Sequence, residues 1–386
     1  MINRLLKFSY AIVVAGLLFT QHQYASAMPP DDDPAQQFGA EYFPAPLEPQ
    51  LSSDGRTLYN AGLPVVYVVD PNPSPERLRI PAPIDLLKLP ESATATFSIT
   101  YVPNGGTDPG GRPCETFPEE AKAAFNAAAA VWSNILQSPV PITISTCWAN
   151  LGSSSTLGYS GGGVWVRNFP NAPRANTWYA ESLANALAGS DLVPSSFNMH
   201  ITYNLNFSWY YGTDGNTPSG QYDLMTVVLH EITHGLNFSG SMQYSGGQGS
   251  WGSSGYPNIY DTFMRDGSGN LLIDTGVYGN PSAALGSALT SNDIWFHGSN
   301  AMAANGGQRV QIYAPSPWAA GSSYAHLGLI FEGTVNRLMV YRLSAGVSTH
   351  DPGPVTRALL KDLGWTIVPG SNSKNIMAII NILLSE

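Results

Sequence analysis

The sequence predicts an α+β fold for a chain of 386 residues. In the first half, predicted strands and helices follow one another in mixed order, unlike the regular strand–helix alternation of a doubly wound sheet. From about residue 240 the chain becomes rich in Gly, Ser and Asn, with short hairpin-like pieces. An amphipathic helix then follows at 354–365. Together these observations predict a mixed sheet with helices, joined to an irregular half.

The first 27 residues have the layout of a secretory signal peptide. Arg4 and Lys7 precede the apolar run Tyr10–Phe19, and the small residues ASA at 25–27 suit a signal peptidase. The run is shorter than the ~20 residues that span a bilayer, so we expect cleavage and no stable membrane insertion. The sequence therefore predicts a secreted protein, extracellular or periplasmic.

Residues 28–90 are predicted to be a leader or propeptide-like region. The stretches MPPDDDP and DPNPSPERLRIPAP are rich in Pro and Asp, which disfavours regular structure. One short strand, PVVYVV at 64–69, is expected between them. A folded domain is predicted over 91–366, with a tail of unassigned role at 367–386.

The elements of this domain follow from local patterns. Alternation and apolar content predict strands at 93–102, 140–148 and 199–206. Helices are predicted over 117–137, where Pro118 and two acids open an Ala-rich run, over 177–189, which a glycine ends, and over 354–365. Loops rich in Gly and Ser are expected up to about residue 176, and a hairpin over 260–274.

Composition narrows the function classes. Charged residues make up 11% of the chain, against ~25% in ordinary soluble proteins, and this suits a loop-rich exported protein. The formal net charge is −10 and no basic stripe is present, which argues against a nucleic-acid partner. Charge alone does not identify a substrate, and it leaves the oligomeric state undetermined.

The stretch VVLHEITHGL carries the chemistry. A helix beginning near residue 222, with Asp223 as its N-cap, places His230 and His234 one turn apart on one face. Both imidazoles can then bind one zinc ion, and Glu231 can reach a water molecule beside it as general base. The alternative interpretation is a helix with two structural histidines and a surface glutamate. The rarity of histidine in this chain favours the metal site.

Such a zinc site needs a third protein ligand. A thermolysin-like enzyme would use a downstream glutamate, and Glu332 is the one available before the terminus. A metzincin would continue the motif as HExxHxxGxxH, but Asn237 and Gly240 occupy its glycine and last histidine positions. The remaining downstream histidines are His297, His326 and His350.

The stretch from 322 to 365 resembles the end of the leishmanolysin-like metzincins. The matching features are His326 in AHL, Met339 in RLMVY and the closing LLKDLGW, together with HGLNF after the helix motif. The resemblance covers roughly 93–365, with its specific motifs at 230–238 and 322–365. It implies a metzincin-like zincin fold, namely a twisted mixed sheet, an active-site helix beneath it and an irregular C-terminal subdomain.

The resemblance also implies roles for individual residues. His326 would be the third ligand after an insertion at 240–325, and Met339 would form a hydrophobic floor beneath the zinc, as a Met-turn. Tyr341 stands where some metzincins have a tyrosine that swings to the metal, with a packing role as the alternative. His350 and His297 are the rival third ligands. The strand at 199–206 would be the edge that binds extended substrate by β-augmentation.

The two cysteines and one glycine-rich acidic stretch bear on the choice of cofactor. In an oxidising compartment Cys114 and Cys147 are expected to form one disulfide, with Cys114 as a latency thiol on zinc as the alternative. The stretch DGSGN at 266–270 suggests calcium, but it lacks the acidic spacing of an EF-hand loop and favours a hairpin turn. Zinc is thus the one cofactor that the sequence supports.

The sequence therefore predicts a secreted zinc metalloendopeptidase that acts on protein or peptide substrates. His230, His234 and His326 would bind one Zn²⁺, and Glu231 would be the general base. One alternative is a non-catalytic extracellular binding module on a degenerate metzincin scaffold. The others are a zinc hydrolase acting on a non-peptide bond and a thermolysin-like enzyme with Glu332 as third ligand.

Overall fold

The structure, a computed structural model, describes residues 48–62, 64–73, 78–82, 94–161 and 163–368. The predicted signal peptide at 1–27, part of the leader and the tail beyond residue 368 lie outside the described residues. Within the described ranges the chain is a mixed α+β structure, as the sequence predicts, with six α-helices. Four of these helices are predicted, and the two at Ala283–Leu289 and Ser299–Ala304 lie in the segment that was expected to be irregular.

The helices are α1 Glu119–Ile135, α2 Glu181–Ala188, α3 Leu224–Gly235, α4 Ala283–Leu289, α5 Ser299–Ala304 and α6 Gly353–Leu363. The strands are β1 Gln50–Leu51, β2 Thr57–Ala61, β3 Val65–Val69, β4 Arg79–Ile80, β5 Phe97–Tyr101, β6 Leu136–Gln137, β7 Ile142–Ala149, β8 Thr156–Ser160, β9 Gly163–Val166, β10 Tyr179–Ala180, β11 Met199–Asn204, β12 Trp209–Tyr210, β13 Tyr222–Asp223, β14 Gln243–Ser245, β15 Gln248–Ser250, β16 Met264–Asp266, β17 Ile294–Phe296, β18 Val310–Ile312, β19 Arg342–Leu343, β20 Ser348–Thr349 and β21 Thr366–Ile367.

The main sheet has six strands in the order β19-β3-β8-β11-β7-β5. Strands β5, β7 and β11 are mutually parallel, whereas β8 runs antiparallel to β11 and to β3. The prediction of a strand at 199–206 is confirmed as β11, but the prediction that this strand lies at the edge of the sheet is wrong. β11 is paired on both sides, with β7 and β8, so it cannot be an edge strand that recruits a peptide.

Helix α3 lies between the main sheet and α1. Its residues Val227, Leu229 and Ile232 are fully buried. Two indole groups hold its backbone, because Trp132 on α1 donates Nε1–H to the Leu229 carbonyl at 3.2 Å and Trp365 donates to the Leu236 carbonyl at 2.9 Å. The helix that carries the motif is therefore held by hydrogen bonds near its middle and at its C-terminal end.

The leader contains more regular structure than its composition predicts. The strand expected at 64–69 is confirmed as β3, but β1, β2 and β4 are also formed. β2 pairs with β9 in a second sheet, and β4 pairs with β20 near the end of the domain. Long-range pairing with the later chain supplies the hydrogen bonds that the local Pro-rich sequence does not.

One further loop prediction is wrong, whereas the prediction of a hairpin within 260–274 is confirmed. The stretch before residue 176 was expected to be loop, but it forms β8 and β9, because small residues such as Gly158 fit closely packed strands. In the expected hairpin at 260–274, the turn forms, with Asp266 accepting from the Asn270 amide at 2.8 Å. The strand before the turn, β16, pairs with the residues after it through a bridge between Arg265 and Leu271, and the Leu272 amide donates to the Met264 carbonyl at 3.0 Å. The other edge of β16 pairs with β17. Asp266 Oδ2 accepts hydrogen bonds from the Asn270 side chain and from the Tyr278 hydroxyl. The Asp266 carboxylate is thus hydrogen-bonded within the protein, and this gives no support for a calcium site at 266–270.

Cys114 and Cys147 form the predicted disulfide, with their Cα atoms 5.4 Å apart. Cys114 is therefore not available as a thiol ligand. Across the described part of the chain, no helix has the length and apolarity that crossing a membrane requires.

Helix α2 begins with a fully buried carboxyl group, that of Glu181. The Ser196 hydroxyl donates to Glu181 Oε2 at 2.7 Å. Burial, partly offset by this hydrogen bond, raises the pKa of Glu181 to about 7 from an ordinary value of 4.5. The folded chain therefore holds this proton more tightly than the unfolded chain.

Glu181→Gln is expected to remove a pH dependence of folding. Because the folded pKa lies above the unfolded one, the free energy of unfolding falls as pH rises from 4.5 to about 7, by about 3 kcal/mol in total. Glutamine stays neutral, so the variant should be more stable than wild type at pH 8 and equal to it near pH 4. Urea unfolding at both pH values measures this, and equal midpoints at pH 8 would contradict it.

Candidate metal centre

Helix α3 presents the motif because its first turn is firmly capped. Asp223 Oδ1 accepts from the Thr226 amide at 2.7 Å and from its hydroxyl at 2.7 Å, which satisfies a free donor of the helix start. His350 Nε2 contacts the same carboxylate oxygen at 2.9 Å. The predicted N-cap is thus confirmed, and it is supported from the far side by a histidine.

Three histidines converge on one point. His230 Nε2 lies 3.0 Å from His234 Nε2 and 3.1 Å from His326 Nε2. Each of the three donates its Nδ1–H to a backbone carbonyl: His230 to Leu338 at 2.7 Å, His234 to Phe238 at 2.9 Å and His326 to Ser322 at 2.7 Å. With the Nδ1 protonated, each Nε2 presents its lone pair to the others.

This arrangement fits a bound cation. Three lone pairs that face one another at such distances repel unless a positive charge lies between them. Tetrahedral zinc with Zn–N bonds of ~2.0–2.1 Å separates its ligand nitrogens by roughly 3.3 Å, close to the spacing found here. Backbone carbonyls that fix the ring orientation are also the usual support of metal-binding histidines. Among the described residues, His230, His234 and His326 are the group that could hold a metal ion.

Burial reinforces the neutral form of these rings. It lowers the pKa of His234 to about 4 and those of His230 and His326 well below the ordinary value, with the neighbouring histidines lowering the latter two further. A metal binds the neutral imidazole, so the site is in its ligating form without the loss of a proton near neutral pH.

Glu231 follows the first histidine and is fully buried. Neither of its carboxyl oxygens has a hydrogen-bond partner within the described part of the chain. Burial raises the pKa of this carboxyl well above its ordinary value. A buried carboxyl without a partner costs stability, which makes Glu231 a candidate functional residue.

His326 is held by a network that the sequence did not reveal. Tyr324, two residues earlier, has a positive φ of 70° and donates its hydroxyl to Asp261 Oδ1 at 3.0 Å. Asp261 also accepts from the Ser241 and Asn258 amides at 2.9 and 2.8 Å. A Cβ atom on Gly240 would collide with Asp261 and Tyr324. The space beside Gly240, where a metzincin has its last histidine, is therefore filled by Asp261 and Tyr324, which fix the chain two residues before His326.

The segment around Met339 lies against the cluster. Met339 is fully buried, and its carbonyl accepts from the Leu327 amide at 2.7 Å, next to His326. The preceding carbonyl, of Leu338, accepts from His230. This segment thus fixes the first and third histidines through its backbone, while the Met339 side chain belongs to the core.

Asn237 ends the helix in the backbone conformation expected of a glycine, with φ 78°. Its side chain adds contacts that glycine lacks, because Oδ1 accepts from the Ala180 amide at 2.7 Å and Nδ2 donates to Asn258 Oδ1 at 2.8 Å. Asparagine at this position is therefore compatible with an intact site.

Asn237→Ala is expected to destabilise the fold by about 2–4 kcal/mol. A left-handed backbone costs alanine ~1–2 kcal/mol, and the buried Ala180 amide loses its acceptor at a similar cost. Asn237→Gly keeps the backbone conformation and loses the hydrogen bonds only, so it should be destabilised less. Denaturant unfolding of both variants measures this, and an alanine variant as stable as the glycine variant would contradict the strain.

Other predicted site residues lie elsewhere. His350 supports the N-cap of α3 and is not in the cluster. His297 is exposed, and Glu332 forms a bidentate ion pair with Arg342 at 2.9 and 2.8 Å. The Tyr341 ring stacks on Tyr313 at 4.3 Å, with its centroid 6.5 Å from that of His326. The geometry favours His326 over every rival as third ligand.

One aromatic neighbour of the cluster was missed by sequence reasoning. The Tyr67 ring lies flat against His230, with centroids 3.7 Å apart and planes 3° from parallel. Tyr67 belongs to β3, in the leader region. The strand pattern around it was recognised, but nothing local in that stretch indicates its partner in the fold.

Comparisons with known proteins cover one part of this site. A family model described as SPBPB7E8-like matches residues 191–248, which include His230, Glu231 and His234 but not His326. An uncharacterized protein of Schizosaccharomyces pombe, PB7E8.01, is 35% identical over 103 residues. That alignment spans 26% of this chain and 15% of the relative. No solved structure matches this chain.

Proposed function

We propose that this protein is a secreted zinc metalloendopeptidase. The observation that carries the proposal is the convergence of His230, His234 and His326 through Nε2, with the buried, unpartnered carboxyl of Glu231 next to the first of them. A site that only stored or displayed zinc would have no use for that carboxyl group.

Zinc bound by the three histidines would lower the pKa of a coordinated water toward ~7 and polarise the scissile carbonyl. The positive charge of bound zinc would favour the ionised form of Glu231, against the effect of burial. The ionised carboxylate acts as general base: it removes the proton of the attacking water and later passes it to the leaving amine. The carbonyls of Leu338, Phe238 and Ser322 keep the imidazoles oriented throughout the reaction.

We assign the fold to the metzincin-like zincins and, within them, to the leishmanolysin-like group. The support is the segment of Leu338 and Met339, whose carbonyls accept from His230 and Leu327, the long segment 240–325 between the second and third ligands, and the parallel strands β5, β7 and β11 of the main sheet. Export is supported by the signal-peptide layout and by the Cys114–Cys147 disulfide, which requires an oxidising compartment.

Hydrolysis of casein by purified protein, before and after removal of the metal with 1,10-phenanthroline, tests the proposal. We expect about one zinc per chain, loss of hydrolysis after chelation and recovery when zinc is added. Zinc binding without hydrolysis of any protein or peptide would favour the alternative, a binding module on the same scaffold.

A further inference from the structure

Strand β3 lies in a groove between two other parts of the main sheet. On one side it pairs antiparallel with β8, Tyr67 opposite Gly158, and the Val69 amide donates to the Ser155 carbonyl at 2.8 Å. On the other side the amides of its alternate residues donate outward: Val66 to Gly321 at 3.1 Å, Val68 to Tyr341 at 3.1 Å and Asp70 to Leu343 at 2.9 Å. Main-chain hydrogen bonds to a neighbouring strand are also how an extended peptide adds to the edge of a sheet.

The side chains of β3 alternate in the same way. Val66 and Val68 pack with the disulfide and Tyr159 in a small apolar cluster. Tyr67 points to the opposite face, into the main core, where it covers the His230 ring. The first histidine of the cluster is thus covered by an aromatic side chain of the leader.

The groove itself is built by the rest of the domain. One wall is β8, which would be an edge strand beside the metal centre if β3 were absent. The other wall is Tyr341–Leu343, which directly follows the segment that supports His230. A small pocket lined by Val65, Gly161, His200 and His234 continues the groove past the start of β3.

We propose that residues 64–70 are an internal pseudosubstrate. The strand occupies the place of an extended peptide that runs antiparallel to β8 and parallel to β19, and it must leave before the histidine cluster can serve an external substrate. Its residues define the substrate class: an extended segment of β-branched apolar residues with an aromatic side chain facing His230. This inference rests on the proposed peptidase function, but the covering of the metal site is testable without it.

The test uses full-length, zinc-loaded protein and the variants Tyr67→Ala and Tyr67→Leu. Leucine keeps a buried apolar group and protects folding, but it removes the flat contact with His230. Tyr59→Ala is the matched control, because Tyr59 lies on β2 of the same leader and is 36% exposed. Two quantities are measured: the rate at which 1,10-phenanthroline removes zinc, and the hydrolysis of a fluorogenic peptide that contains the sequence VVYVV.

We expect both Tyr67 variants to release zinc at least tenfold faster than wild type and to hydrolyse the peptide faster, with Tyr59→Ala within twofold of wild type. A synthetic peptide PVVYVVD should slow zinc release from the variants again, whereas the same peptide with alanine for tyrosine should not. If the substitutions only weakened the structure around the zinc, the peptide would not slow zinc release.

Variants with native circular dichroism that release zinc at the wild-type rate would overturn the proposal, and so would accelerated release that PVVYVVD does not slow. Faster release that the peptide reverses, without hydrolysis, would support the pseudosubstrate strand and count against the peptidase.

Discussion

Glu231→Gln is expected to abolish peptide hydrolysis while zinc stays bound. The three imidazoles that converge through Nε2 are unchanged, and glutamine cannot accept the proton of the attacking water. General-base catalysis of this kind contributes ~10²–10⁴-fold to the rate. The value of kcat/KM should therefore fall by at least ~10²-fold. Stability should be maintained or rise, because the buried carboxyl has no hydrogen-bond partner in the described part of the chain to lose.

Zinc content by atomic spectrometry and kcat/KM on casein-derived peptides measure the two effects separately. Glu181→Gln is the matched control, since it neutralises a second fully buried glutamate that lies outside the histidine cluster. It should hydrolyse peptides like wild type. If Glu231→Gln retained wild-type activity, another group would have to be the base, and the proposed mechanism would be wrong.

His326→Ala is expected to release the metal. Two imidazoles on α3 remain, but the third Nε2, 3.1 Å from that of His230, is lost. Removal of a residue that only hydrogen-bonds to a metal ligand lowers metal affinity ~10–100-fold. Removal of the ligand itself should lower it further. After dialysis against a weak chelator, the variant should contain little zinc and show no hydrolysis.

His350→Ala controls for the loss of a buried histidine. His350 is also buried, but it contacts Asp223 at the N-cap of α3 and lies outside the cluster. This variant should be less stable than wild type and yet keep its zinc. If the two variants exchanged these behaviours, with zinc lost only in His350→Ala, the assignment of the third ligand would be refuted.

Much of the site could be predicted because its signals are local. The i, i+4 spacing of His230 and His234 fixes their common face once the segment is helical, and Asp223 marks where that helix begins. Four of the six helices, α1, α2, α3 and α6, and the central strands follow from the same kind of pattern, whereas α4 and α5 were not predicted. The left-handed conformation of Asn237 also has a local reason, since asparagine tolerates that conformation better than most other non-glycine residues.

The parts that could not be predicted depend on contacts between distant residues. Nothing in the composition of the leader indicates that β3 would join the main sheet, or that Tyr67 would stack on His230, 163 positions further on in the numbering of the chain (230 − 67). The position of β11 was wrong for the same reason, because an edge strand is defined by its neighbours and not by its own sequence. Asp261 stands alone in an aromatic stretch, and nothing in the sequence indicates its hydrogen bonds with Ser241 and Tyr324.

In the proposed site, three histidines bind one zinc ion beside Glu231. Anomalous diffraction from crystals of the purified protein, with data collected on both sides of the zinc absorption edge, tests it most directly. We predict one peak about 2 Å from the Nε2 atoms of His230, His234 and His326. A zinc peak bound instead by His350 or Glu332, or the absence of a peak between the three imidazoles in zinc-loaded protein, would contradict the account.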